Sequence, residues 1–161
     1  LDICLLTIFY TLRIFSGGAA TNIEISLWLI LFSFFIFFSL ASIKRKAELI
    51  NFKKLEKKIV PGRSYSLNDI EILSNMSISS GYVSVMTLAL YINSPKILNL
   101  YNNQISLISL CLILIYWITH MNFKASNGEI VDDPILFSLK DKVSIICFIL
   151  SLILIGLSVL I

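Results

Sequence analysis

The chain has 161 residues, of which 57% are hydrophobic and only 14% are charged, with a formal net charge of +3. Its mean hydropathy is +0.89. A soluble domain carries about 25% charged residues. The composition therefore argues against a soluble globular domain and predicts an all-α, polytopic membrane helical bundle; no nucleic-acid partner is expected.

Five apolar stretches approach the roughly 20 residues that a helix needs to cross a hydrocarbon core. In chain order they cover about 3–20, 25–43, 78–92, 105–121 and 143–161. The third is short and rich in serine, the first contains Arg13, and the fifth has no charge from Val143 onward. The chain opens with Leu1, and we expect it to be a fragment of a longer protein.

Basic residues predict the orientation, because lysine and arginine concentrate in cytoplasmic loops. The segments 44–77 and 122–142 hold most of them, whereas the turns around 17–24 and 93–103 hold almost none. Five alternating spans put both basic segments on one side. We therefore expect an integral protein of the cytoplasmic (inner) membrane with its charged loops in the cytoplasm.

The first basic segment begins with the sequence KRKAELINFKKLEKK. Its apolar residues recur at helical steps of three and four, at Leu49, Phe52, Leu55 and Ile59. This spacing predicts an amphipathic continuation of the second span that ends at Pro61 and Gly62. A second short helix is predicted from Ser66, a suitable N-cap residue.

An arginine within a span is costly and by default suggests a functional role. Asp2 and Tyr10 share a helical face with Arg13, so this face is predicted to line a cavity open to the cytoplasm. Lys44, Arg45 and Glu48 can likewise share a face at the membrane edge. Basic groups there suit a phosphate or diphosphate, and a neighbouring carboxylate could hold Mg²⁺. The alternative is an anchoring run of solvated charges.

The second basic segment contains EIVDDPILFSLKDK. Asp133 before Pro134 predicts a helix cap, and Lys140, two turns later, is expected to face the same way. Asp132, Asp133 and Asp141 could hold a divalent metal. His120 has no partners for a metal site and is interpreted as a helix-end residue. The spacing of Cys4, Cys111 and Cys147 suits neither zinc nor disulfides.

The strings FYTLRIFSGGAA, SLASIKRKAEL, SSGYVSVMTLALYINS and DDPILFSLKDKVS together resemble the UbiA-type intramembrane prenyltransferase family over nearly the whole chain. They look most like the branch of decaprenyl-phosphate phosphoribosyltransferases. The resemblance implies the back part of a nine-helix fold around a central cavity. The aspartate-rich NDxxDxxxD motif of the family would lie in a missing N-terminal half. KR-x-AE stands where prenyl-diphosphate enzymes carry DxxxD, which favours the phosphoribosyl branch.

The implied reaction transfers 5-phosphoribosyl from phosphoribosyl diphosphate to a polyprenyl phosphate, with Mg²⁺ as cofactor. Three sets of residues are expected to carry it: Glu48, Arg13 and Asp2 in catalysis; Lys44, Arg45, Tyr10 and Lys140 on substrate phosphate; Glu48, Asp133 and Asp141 on the metal. The isolated chain is expected to be inactive. The alternatives are an aromatic prenyltransferase of the quinone or haem type and a non-enzymatic multispanning protein such as a transporter.

Overall fold

The structure is a computed structural model that describes residues 1–22, 25–54, 65–94, 97, 104–131 and 133–160. Throughout these residues the regular structure is helical. The elements are α1 (Asp2–Thr21), α2 (Leu27–Lys54), a 3₁₀ turn (Leu67–Asp69), α3 (Ile70–Ile92), α4 (Gln104–Ser126), α5 (Pro134–Ser138) and α6 (Lys142–Leu160). The all-α prediction is confirmed for this part of the chain.

Three helices in the described residues are long and apolar enough to cross a membrane: Asp2–Thr21, Leu27–Lys54 and Ile105–Ser126. The stretch Lys142–Ser158 is a shorter apolar helix. Three of the five predicted spans therefore meet the requirements of length and composition. The predicted spans 78–92 and 143–161 also lie on helices, α3 and α6. Many outward side chains of α1 and α6 are large, apolar and exposed, among them Phe9 and Phe148, as expected where lipid replaces water as the surrounding solvent.

The central element is α2, which packs against α1, α3, α4 and α5. It does not end where its apolar residues end but continues through the basic run to Lys54, as the spacing of Leu49 and Phe52 predicted. Leu49 is buried and Phe52 is half-buried against the same cluster. The rest of the predicted continuation, including Leu55, Ile59, Pro61 and Gly62, lies outside the described residues.

The helix predicted from Ser66 is not a separate element. Ser66 caps a 3₁₀ turn in which its backbone N–H donates to Asp69 Oδ2 at 2.7 Å, and α3 follows directly. Residues 72–77, which the sequence placed in the cytoplasmic loop between this short helix and the third span, thus belong to the first turns of α3. Likewise, α4 continues to Ser126, and the short α5 occupies part of 122–142.

The serines that weaken α3 as an apolar span lie on its buried face. Ser77 and Ser84 are fully buried, and Gly81 lies between them. A Cβ atom at Gly81 would be 2.7 Å from Ile118 Cγ2 and 3.0 Å from Ser39 Oγ. Small residues let membrane helices approach closely, so this stripe brings α3 against both α2 and α4.

Candidate active site at the charged end of the bundle

The guanidinium of Arg45 joins two carboxylates from different helices. Its Nη1 donates to Glu48 Oε1 and Oε2 at 2.7 and 2.8 Å. Its Nη2 donates to Asp2 Oδ1 at 3.0 Å, and its Nε contacts Asp2 Oδ2. Asp2 opens α1 and Arg45 lies late in α2, so the two helices run antiparallel and bring residues 43 positions apart together. This is the Asp2–Arg45–Glu48 cluster.

Exposure within this cluster is uneven. The Arg45 side chain is only 5% exposed, whereas Asp2 is 39% and Glu48 is 27% exposed. The carboxylates therefore reach the surface above a buried guanidinium. Because the donors of Arg45 already contact carboxylates, a phosphate would reach Arg45 only by displacing one of them. Arg45 was predicted to bind phosphate directly; in this arrangement it positions Asp2 and Glu48.

A second group forms where α1, α2 and α5 meet. Lys44 Nζ donates to Asp133 Oδ2 at 2.7 Å, and the Tyr10 hydroxyl lies near enough to the Asp133 carboxylate to contribute to lowering its pKa. Asp133 Oδ1 accepts the Ile135 N–H at 3.0 Å, which confirms the predicted cap before Pro134. Burial opposes ionisation of Asp133, but the bonds from Lys44 and Ile135, together with Tyr10, hold its pKa below the usual value.

Arg13 lies one turn further along α1, and its guanidinium carbon is 5.3 Å from the centre of the Tyr10 ring. This is cation–π distance. Tyr10 in turn stacks on Phe37 of α2, with ring centres 5.3 Å apart. Arg13 was expected at the floor of a cavity. In the structure its side chain is exposed beside Tyr10.

The structure does not gather the predicted metal ligands. Glu48 contacts Arg45 and Asp133 contacts Lys44, while Asp141 Oδ2 contacts His120 Nε2 at 2.9 Å and the Ser144 hydroxyl at 2.8 Å. Within the described ranges, no group of three or more His, Cys, Asp and Glu side chains could hold a metal ion. Asp132 lies outside them.

Asp141 has a structural role that the sequence did not predict. Its carboxylate accepts the Ser144 N–H at 2.9 Å and so caps α6, while His120 ties it to α4. Burial again opposes ionisation, but these bonds lower the pKa of Asp141. His120 was interpreted only as a helix-end residue; its pairing with Asp141 depends on how α4 and α6 pack.

Mg²⁺ commonly binds proteins through one or two carboxylates and completes its shell with water and substrate phosphate. Asp2 and Glu48, held on one guanidinium and partly exposed, fit that requirement. Mg²⁺ would displace Arg45 from some of these oxygens. Asp133 and Asp141 fit less well, because their side chains are only 19% and 12% exposed and their oxygens also cap helices.

Lys140 does not share a helix with Asp133. The prediction of a common face assumed two helical turns between them, but α5 ends at Ser138. Lys140 lies in the turn that follows, with its backbone N–H donating to Phe137 O at 2.9 Å and its side chain exposed. The assumption failed because a five-residue helix ends before the second turn is complete.

Sequence reasoning missed a buried polar network on another flank of α2. Lys46 is 2% exposed, and its Nζ donates to Ser74 Oγ at 2.9 Å and to Asn122 O at 3.3 Å. Nearby, Ser77 Oγ donates to Asn122 Oδ1 at 2.5 Å, and Ser39 Oγ donates to Ser77 O at 2.6 Å. Ser74, Ser77, Gly81 and Ser84 recur at steps of three and four, a signal available in the sequence.

The fold and composition define a helical membrane protein with ionic clusters at one end of its long helices.

No protein-family model matches the chain, and no solved structure matches it. It is 32% identical over 147 residues to "Nodulation protein NoeC" of Azorhizobium caulinodans, an alignment that covers 91% of this chain and 48% of that protein. It is 30% identical over 145 residues to "Uncharacterized protein y4nM" of Sinorhizobium fredii, covering 89% of this chain and 28% of that protein. The chain thus spans about half the length, or less, of the curated relatives that it matches.

Proposed function

We propose that this chain is part of an integral membrane transferase of the UbiA prenyltransferase type. The reaction transfers 5-phosphoribosyl from phosphoribosyl diphosphate to a polyprenyl phosphate at the cytoplasmic face of the inner membrane. The observation that carries the proposal is the Asp2–Arg45–Glu48 cluster, which holds two reachable carboxylates on one buried cation at the charged end of the bundle. The family assignment rests on the sequence resemblance.

In the proposed reaction, a phosphate oxygen of the lipid forms a bond to the anomeric carbon of ribose. The bond from that carbon to the diphosphate breaks, and diphosphate leaves with the electron pair. The lipid phosphate is already an anionic nucleophile, so no strong base is needed. The main demand on the protein is to stabilise charge that develops on the leaving group.

We assign the residues of the site to metal binding, positioning or phosphate binding according to their exposure and their partners. Asp2 and Glu48 would hold Mg²⁺, which supplies positive charge to the diphosphate. Arg45 keeps the two carboxylates together. The exposed Arg13 is the cation that faces substrate phosphate, and it lies over the Tyr10 ring. Lys44 would reach a phosphate only by leaving Asp133.

The decisive experiment uses the full-length protein reconstituted in lipid, with labelled phosphoribosyl diphosphate, a polyprenyl phosphate and Mg²⁺. The expected result is a labelled lipid product whose formation falls about a hundredfold in Glu48→Gln, as on losing one electrostatic contact to the transition state. Glu129→Gln is the matched control, because Glu129 pairs with Lys124 near an exposed turn.

Two results would overturn the proposal. Product formed only from a prenyl diphosphate and an aromatic acceptor would indicate an aromatic prenyltransferase. No transfer to either acceptor, with Glu48→Gln and Arg13→Ala indistinguishable from the parent protein, would indicate a non-enzymatic membrane protein such as a transporter.

A further inference from the structure

A groove lined by both charged and apolar side chains lies on the flank of α2 that faces α3 and α4, away from the contact between Arg45 and α1. Its volume is about 790 Å³, and its walls include Lys46, Lys53, Lys54, Ser74 and Glu71. Volumes of about 300–1,000 Å³ are typical of small-molecule sites. The groove is therefore large enough for a phosphate-bearing group.

The unusual residue of the groove is Lys46. It is 2% exposed, and both acceptors of its ammonium group, Ser74 Oγ and Asn122 O, are neutral. Among the residues that the structure describes, no carboxylate lies within ion-pair distance of Lys46 Nζ. Burying a charge without a counter-charge is costly. An anion in the groove would provide that counter-charge.

The two basic residues that precede Lys46 in the chain do have carboxylate partners. Lys44 is paired with Asp133, and Arg45 is paired with Asp2 and Glu48. The cavity beside Lys44 and Asp133 has a volume of only about 10 Å³, room for no more than about one water molecule. Of the three consecutive basic residues, Lys46 is thus the one whose charge the described residues leave uncompensated.

The rim of the groove adds further positive charge. Lys53 and Lys54 are exposed about two turns beyond Lys46, and Lys54 Nζ donates to Asn127 O at 2.7 Å, which holds it against the end of α4. Glu71 is the one carboxylate among the described residues that line the groove, and it is exposed. Three ammonium groups against one carboxylate favour an anion, and lysine commonly binds phosphate as a point charge.

We propose that this groove is a phosphate-binding site, with Lys46 and Ser74 at its floor and Lys53 at its rim. The ligand is a phosphate monoester or diphosphate, from either a lipid headgroup or a free anion. The site is separate from the Asp2–Arg45–Glu48 cluster and does not depend on the transfer reaction proposed above.

The test is native mass spectrometry of the full-length protein in detergent with EDTA, which removes divalent metal from the carboxylates. One arm adds inorganic diphosphate, a second adds phosphatidic acid, and a third adds phosphatidylcholine as the lipid control. The variants are Lys46→Met, Lys53→Met and, as a matched control, Lys142→Met, an exposed lysine at the start of α6.

The expected result is an adduct with diphosphate or phosphatidic acid but not with phosphatidylcholine. Its affinity should fall about tenfold or more in Lys46→Met, as on losing a charge-assisted hydrogen bond. It should fall measurably in Lys53→Met and stay unchanged in Lys142→Met. The arm that gives the adduct identifies the source of the phosphate.

Because Lys46 is buried, Lys46→Met could also disturb folding, so Lys53→Met decides the outcome. The proposal is overturned if neither phosphate probe binds, or if Lys53→Met binds both probes as tightly as the parent protein. Equal losses in Lys53→Met and Lys142→Met would also overturn it, since they would indicate attraction by net charge alone. Lipid transfer by the parent protein is measured separately, so failure of either proposal leaves the other standing.

Discussion

Asp2 and Arg45 form an ion pair that joins the first turn of α1 to the charged end of α2, with Arg45 Nη2 donating to Asp2 Oδ1 at 3.0 Å. The same guanidinium holds Glu48, so one buried cation fixes the separation of two partly exposed carboxylates. This contact both attaches α1 to the bundle and shapes the candidate site.

Replacing Arg45 should destabilise the protein more than replacing Arg13. Arg45→Met leaves two carboxylates facing each other without their shared donor, and we expect a loss of about 2 kcal/mol in unfolding free energy. Arg13→Met removes an exposed contact with the Tyr10 ring, worth about 0.5–1 kcal/mol. Denaturant unfolding of the full-length protein in detergent measures both. Equal losses would show that the Arg45 cluster has no special role in stability.

Asp133 should make stability depend on pH in the acid range. Its pKa in the folded protein is lowered, so its ionised form stabilises the fold above the ordinary Asp pKa of about 4. That contribution is lost as the pH falls below about 4 and through the folded pKa. The difference in unfolding free energy between the parent protein and Asp133→Asn should be constant near neutral pH and shrink in acid. A difference that grows in acid would contradict this assignment.

Asp141 should act as a helix cap. Removing the carboxylate in Asp141→Ala deprives the Ser144 N–H of its acceptor and His120 of its partner, with an expected loss of about 1–2 kcal/mol. Asp141→Asn keeps an oxygen that can accept from Ser144 and should lose less. Thermal unfolding of the two variants side by side measures the difference; a greater loss in Asp141→Asn would show that the cap is not the main role.

Gly81 should be intolerant of any side chain. A Cβ atom would meet the branched Ile118 side chain at 2.7 Å, and overpacking of this kind costs about 1–3 kcal/mol. Gly17 is the matched control, because a Cβ atom there has nothing within 4 Å. Gly17→Ala should raise helix stability by up to about 1 kcal/mol. If both substitutions stabilise, α3 does not approach α2 and α4 as closely as described.

Much of the candidate site was predictable because helical spacing is a local property. Asp2, Tyr10, Lys44, Arg45, Glu48 and Asp133 were selected from spacing, charge and resemblance to a family, and the structure brings them into two neighbouring groups. Their pairing was not predictable. Lys44 and Glu48 lie on one face of α2, yet Lys44 turns to α5 and Glu48 to Arg45, because the positions of α1 and α5 decide which carboxylate is near.

The predictions that were wrong or incomplete also concern contacts between helices. Lys140 was placed on the face of Asp133 by assuming a continuous helix, whereas α5 ends after five residues. Lys46 was given no role of its own within the basic run, yet it is buried, and its ammonium group contacts α3 and α4. Consecutive residues of a helix point about 100° apart, so neighbours in one basic run can face three different helices.

The sequence by itself determined that the chain is helical and apolar enough for a membrane, that α2 continues past its apolar residues, and that its charges gather in two segments. These properties follow from composition and from the 3.6-residue period, which need no knowledge of other elements. Only the tertiary structure decided which charges neutralise one another and which cation is left buried beside neutral groups. Ion pairing depends on distances between helices, and packing sets those distances.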